Sequence, residues 1–222
     1  RYTMCFFPLV SIPIALLVLL WFYFCQWLHI HSFLFACVIA TIPVLVTGGI
    51  HLDGYCDTVD ALSSRQPREK KLEILKDSHT GAFAIICCCL YLITFFAVWC
   101  EAEPAGGAFW VLCLGPALSR SLSGLAACSW PNARGSGLLA TFTQPMDAKR
   151  ARVVLVLLVI GCCAGMLWLD LWAGAFTVAG ALLSFLYYRV MSTRQFGGVT
   201  GDLAGFFLQI CECAMVLQVV LA

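Results

Sequence analysis

Charge is scarce in this chain. Only 11% of its 222 residues are Asp, Glu, Lys or Arg while 62% are hydrophobic, and the mean hydropathy of +0.93 is far from that of a soluble globule. Composition alone therefore reads as a polytopic membrane protein. The net charge of +1 says nothing by itself about nucleic acid, the arrangement of charge matters more than its sum, and no nucleic-acid partner is expected. Also missing is any C-x-x-C pair among the fourteen cysteines. They lie mostly inside apolar runs, Cys87 to Cys89, Cys162 to Cys163 and Cys211 among them, which favours small buried hydrophobes over zinc or disulfides. No repeat with a period of roughly 20 to 50 residues recurs, against a transporter built from two matching halves. A cleavable signal peptide is not expected either, because the first apolar run continues into a full span.

A crossing needs about 20 mostly apolar residues to bridge roughly 30 Å of hydrocarbon. The sequence predicts such spans at Leu9–Leu28, Phe33–Thr47, Ala82–Cys100, Gly107–Ala127, Val153–Leu169, Trp172–Tyr188 and Leu203–Ala222. The expected fold is all-α, a single membrane-embedded bundle of about seven helices over residues 1–222. Lys and Arg are distributed one-sidedly. Arg1 precedes the first span; Arg65, Arg68, Lys70, Lys71 and Lys76 follow the second; Arg134, Lys149, Arg150 and Arg152 follow the fourth; Arg189 and Arg194 follow the sixth. The connections at His29–Ser32, Glu101–Gly106 and around Asp170 carry none. The positive-inside rule then puts the amino terminus and the segments 48–81, 128–152 and 189–202 in the cytoplasm. A site assembled from those segments suits a soluble phosphorylated substrate better than a path across the bilayer.

The few acidic residues are concentrated as well. Asp53, Asp57, Asp60 and Asp77 fall between Gly48 and Phe83, in a chain with twelve Asp plus Glu. A helix over Leu52 to Leu62 would hold the first three within a sector of roughly 60° at about 100° per residue. Carboxylates so crowded need a positive partner, and a hard divalent cation such as Mg²⁺, which bridges carboxylates to substrate phosphates, supplies it most simply. Asp202 follows the run Phe196-Gly197-Gly198-Val199-Thr200-Gly201 at the start of the last span, where helix N-cap and metal or substrate ligand are both open readings. Glu212, about three turns deeper, is either functional or paired with Arg120. His51 and His79 are candidate general bases, with ligand and packing readings also open for His51. The run from Arg65 to Lys76 reads as a surface helix in its middle, with Arg65 in reach of a bound phosphate. The long Trp130–Arg152 connection, with Pro131, Asn132, Arg134, Gly135, Ser136 and Gly137 near its start, could cover the site.

Several of these stretches resemble one family. Gly48-Gly49-Ile50-His51-Leu52-Asp53-Gly54 with Asp57 and Asp60 is similar to the signature of the cobalamin synthases, the adenosylcobinamide-GDP ribazoletransferases. So are Leu72 to Phe83, Arg120, Ala133-Arg134, Gly197 to Asp202 and Glu212, so that the resemblance covers nearly the whole chain. Family members usually begin with a further Arg-containing, Pro-rich segment. The resemblance implies a Mg²⁺-dependent transferase in a bacterial cytoplasmic membrane. It would join adenosylcobinamide-GDP to α-ribazole or its 5′-phosphate and release GMP. It implies Asp53, Asp57, Asp60, Asp202 and Glu212 around the metal, and Asp77, His79 and His51 in proton transfer, with Asp202 sharing that role. Substrate and phosphate contacts would come from Arg65, Lys76, Arg120, Arg134, Gly198 and Thr200. A homo-oligomer, or association with other enzymes of the pathway, stays open.

Two rivals were weighed on pattern. A CDP-alcohol phosphotransferase would carry D-x-x-D-G and a later D-x-x-x-D, whereas here the glycine follows the first aspartate. A cation-coupled transporter would stage its acids through the bilayer, whereas all but Glu212 are expected at one face.

Overall fold

Two short helical turns, Thr3–Phe6 and Phe7–Val10, lead into α1 (Ser11–Leu28), which ends where His29 turns left-handed. The computed structural model describes residues 3–77, 79–102, 106–135, 139, 141 and 147–222; Arg1, Ser136 and Gly137 lie outside them. Helix α2 (Ser32–Val46) returns, and at 15 residues it is about 22 Å long, short of a full crossing. It then breaks by 90° into α3 (Ile50–Ser63). The corner is made by Gly48 and Gly49 at φ +62° and +78°, a backbone that side-chain-bearing residues rarely adopt. A short α4 (Arg68–Ile74) follows, then α5 (Ala82–Ala102), α6 (Gly106–Ser129), α7 (Ala148–Leu169), α8 (Leu171–Met191), a π-helical turn at Ser192–Phe196, and α9 (Gly201–Val220). Among the described residues there is no strand, and one isolated bridge joins Asn132 to Val199.

Six helices are long and apolar enough to cross a membrane, and the bent α2–α3 pair makes a seventh if taken as one span. The described residues are thus helical, six of the seven expected spans stand by themselves, and the expected Phe33–Thr47 span counts only together with α3. Helix α7 begins a turn earlier than the apolar run suggests, because Asp147 caps it by accepting the Arg150 amide at 3.2 Å. The outer surface is apolar: Trp27, Trp168 and Trp172 are 75, 90 and 70% exposed, all near the end where α1 and α7 stop and α8 starts. Amphipathic rings at that level fit a membrane interface. All fourteen cysteines are free.

Helix α9 is the hub. It packs on α3, α5, α6 and α8, and its buried residues include Phe207, Leu208, Cys211 and Met215. On one side it closes a core with α6, α7 and α8 through Leu118, Leu155 and Tyr188. On the other it contributes Val216 to a core of α1, α2 and α5 that includes Ile14, Ile39 and Phe95. The approach of α3 to α9 is closest at two glycines: a methyl on Gly54 would lie 2.7 Å from the Asp202 carbonyl oxygen, and one on Gly205 would lie 2.8 Å from that of His51. Any side chain at either position forces the helices apart.

A Gly54→Val variant is expected to lose about 1–3 kcal/mol or more of stability through overpacking. Thermal unfolding in detergent checks this, and an unchanged Tm would contradict the contact.

Candidate active site

Four connections meet at the end of the bundle where α3 lies. Pro131–Ala133 runs beside Val199, with the Val199 amide donating to the Pro131 carbonyl at 2.8 Å and the Ala133 amide to the Val199 carbonyl at 2.9 Å. Gly198 has the Pro131 carbonyl where a Cβ would stand, so no larger residue fits. The Asn132 carboxamide oxygen then accepts the amides of Arg134 and Gly135, each at 3.0 Å, closing a turn that aims the Arg134 side chain. Arg134 Nη1 lies 2.9 Å from Asp202 Oδ2, an ion pair off the angle of a hydrogen bond. Its Nε and Nη2, and Asp202 Oδ2, are buried without a hydrogen-bond partner.

Asp202 does not cap α9. Thr200 does, its Oγ1 accepting the Leu203 amide at 3.2 Å, which leaves Asp202 in the first turn, paired with Arg134 and within electrostatic reach of Asp53. Opposite stand Asp53 and Asp57 on successive turns of α3, and Asp57 is within electrostatic reach of Asp53, Asp202 and Arg134. Asp53, Asp202, Arg134, His51 and Thr200 share the lining of a cavity of about 200 Å³. The His51 ring stands edge-on to Phe7, 6.3 Å between centroids.

Other residues expected at the site have different partners. Asp60 accepts the amides of Gly81 (2.5 Å) and Ala84 (2.8 Å), so both its oxygens serve the first turn of α5. Glu212 accepts from Arg120 Nη1 at 2.6 Å and from Ser119 Oγ at 2.8 Å inside the bundle, the pairing kept open as its alternative. Asp77 and His79 bond each other on the surface, Nδ1 to Oδ1 2.7 Å. The His79 amide and ring together hold the Asp77 carboxyl below the usual carboxylate range. Neither lines the cavity. Arg65, left-handed at φ +52°, and Lys76 are exposed. The middle of that run is helical as expected, with Lys70 and Glu73 paired at 2.8 Å.

Sequence reasoning missed several contributors. Lys71 is buried and donates to Gln195 Oε1 at 2.5 Å, and the Arg68 guanidinium packs on Gly197, so α4 is clamped to the turn before α9. The signal was present: Arg68, Lys71 and Leu75 recur at three- and four-residue spacing along one helix face. Ser119 and the Asn132 turn also went unassigned, and neither carries a pattern distinctive enough to find alone.

Two carboxylates, Asp53 and Asp202, line the cavity beside the His51 ring, and their oxygens suit a hard cation. Among the described residues no three His, Cys, Asp or Glu side chains converge on one point. Mg²⁺ itself usually takes one or two carboxylates and completes its octahedron with water and substrate phosphate. Asp53, Asp57 and Asp202 fit that habit, with Asp202 Oδ2 held by the Arg134 charge and by no hydrogen bond. Asp60 and Glu212 are engaged elsewhere.

Comparison with known proteins then decides the family, since a family model described as Cobalamin-5-phosphate synthase matches residues 1–221. The chain belongs to this family. A relative from Lachnoclostridium phytofermentans is 40% identical over 225 residues, covering 100% of this chain and 84% of its own length. One from Pseudomonas putida is 34% identical, covering 97% and 86%, and one from Clostridium perfringens is 31% identical, covering 98% and 86%. All three are named adenosylcobinamide-GDP ribazoletransferase. No solved structure matches.

In this cobalamin synthase family member, removing one partner of the buried Arg120–Glu212 pair is expected to cost about 3–5 kcal/mol. Arg120→Met combined with Glu212→Leu should recover most of that. Thermal unfolding of the single and double variants measures it, and single variants as stable as the parent would contradict the pairing.

Proposed function

We propose that this enzyme joins adenosylcobinamide-GDP to α-ribazole, or to α-ribazole 5′-phosphate, and releases GMP. The observation that carries the reading is the group formed by Asp53, Asp57, Asp202 and Arg134 where α3 crosses α9, in a chain of this family. In the reaction a ribazole hydroxyl oxygen bonds to the phosphorus nearer the corrinoid. The bond from that phosphorus to the bridging oxygen breaks, and GMP leaves with the oxygen. With Nη1 on Asp202, Arg134 keeps its Nε and Nη2 edge for oxygens of the substrate. His51 lines the same cavity, and we assign it the proton of the attacking hydroxyl. Asp53, Asp57 and Asp202 would hold Mg²⁺, which when bound offsets charge on the diphosphate.

The chain acts as one domain, with the segments 48–81, 128–152 and 189–202 on the cytoplasmic side of a bacterial inner membrane. Support comes from the lysines and arginines, which gather at the end that bears the carboxylates.

Purified protein incubated with adenosylcobinamide-GDP and α-ribazole is expected to release GMP, with turnover lost in excess EDTA and restored by Mg²⁺. Turnover indifferent to EDTA would remove the metal, and absence of GMP would remove the reaction. Asp57→Asn is expected to abolish transfer, a loss of about 100-fold or more if the carboxylate serves the transition state. Its melting curve should match the parent's, and full activity would contradict the assignment.

A further inference from the structure

The cavity beside Arg134 and Asp202 has two ends of different chemistry. Met4, Phe7, Ala127, Leu139 and Leu208 give it apolar walls. Asp53, Arg134 and Asp202 line it too, Asp202 in the first turn of α9 and Leu208 well along the same helix. Along α9 it runs from Thr200 to Leu208, roughly 12 Å at about 1.5 Å per residue. An apolar cavity of about 150 Å³ accepts a benzene ring. At about 200 Å³ this one has room for a fused bicyclic ring and not for a corrinoid macrocycle.

Arg134 points to what the polar end takes. With Nη1 on Asp202, its Nε and Nη2 are buried and unpartnered. Those two N–H groups form the side edge of the guanidinium, a fork that binds two acceptor oxygens at once. An occupant that satisfies the whole cavity therefore has a flat apolar body and an oxygen-rich tail. Both belong to one of the two substrates proposed above.

Resting on that reaction, we propose that the cavity is the subsite of the nucleoside substrate. The aromatic base lies between the amino-terminal turns and α9, and the ribosyl oxygens meet Arg134, Asp53 and Asp202. This puts the attacking hydroxyl beside the carboxylates, and it makes the apolar walls the determinant of which base is accepted.

Gly201 offers a clean probe. It lines the cavity, and a Cβ built there meets no atom within 4 Å, so a larger side chain enters open space without displacing the fold. The full chain in detergent is titrated separately with α-ribazole and with adenosylcobinamide-GDP. Gly201→Leu is expected to weaken α-ribazole binding about tenfold or more while adenosylcobinamide-GDP binding stays within about twofold. A monodisperse Gly201→Leu protein that binds α-ribazole like the parent overturns the subsite. An aryl-azide analogue of the nucleoside, photolysed on the unsubstituted protein, gives an answer independent of folding. Label on Met4 to Phe7 or Thr200 to Leu208 supports the subsite, and label confined to other segments overturns it. Parent protein that releases GMP while either result is adverse loses the subsite alone; parent protein that binds neither substrate loses the proposed reaction as well.

Discussion

The contact between α3 and α9 through Gly54 and Gly205 governs the rest of the molecule. One helix comes from the first quarter of the chain and the other from its end. Without a side chain at either crossing point their backbones meet, and the carboxylates beside the glycines are carried along. Asp53 and Asp57 are adjacent to Gly54 on α3, while Asp202 itself is the residue that Gly54 touches. Close packing thus brings together like charges that would otherwise keep apart, and Arg134 faces one of them.

The acidic residues divide into two kinds once their partners are counted. Asp60 and Glu212 are satisfied by the protein itself, one by backbone amides at the start of α5 and the other by a buried guanidinium and a hydroxyl. Both reinforce the frame: Asp60 ties α3 to α5, and Glu212 ties α9 to α6. Asp53 and Asp202 line the cavity instead, with Asp57 a turn along α3 and Arg134 paired with Asp202. A carboxylate with its lone pairs already taken has little to offer a substrate, which is why counting acids along the sequence overstates the site.

Much of this was legible beforehand. Long apolar runs define helices whatever their surroundings, so the spans could be read within a turn or so, whereas the 90° break at Gly48–Gly49 was not read. The aspartate spacing located one helix face. What could not be read was partnership across the fold. Nothing local to Asp60 says that Gly81 will offer it an amide, and a Gly-rich run ending in Asp202 leaves the choice of cap to Thr200 undetermined. Lys71 sits in a run that looks solvated, and only the docking of α4 on Gln195 buries it. Arg134 was visible as a cation in a loop, yet its aim depends on Asn132 and on the pairing with Val199.

That pairing of Pro131–Ala133 with Val199 carries a consequence for chain length. Residues in an extended rung alternate sides, so adding or deleting one between Trp130 and Arg134 would turn the guanidinium away from α9. Insertions and deletions between Trp130 and Arg134 should therefore be rejected, because each would move the arginine off Asp202.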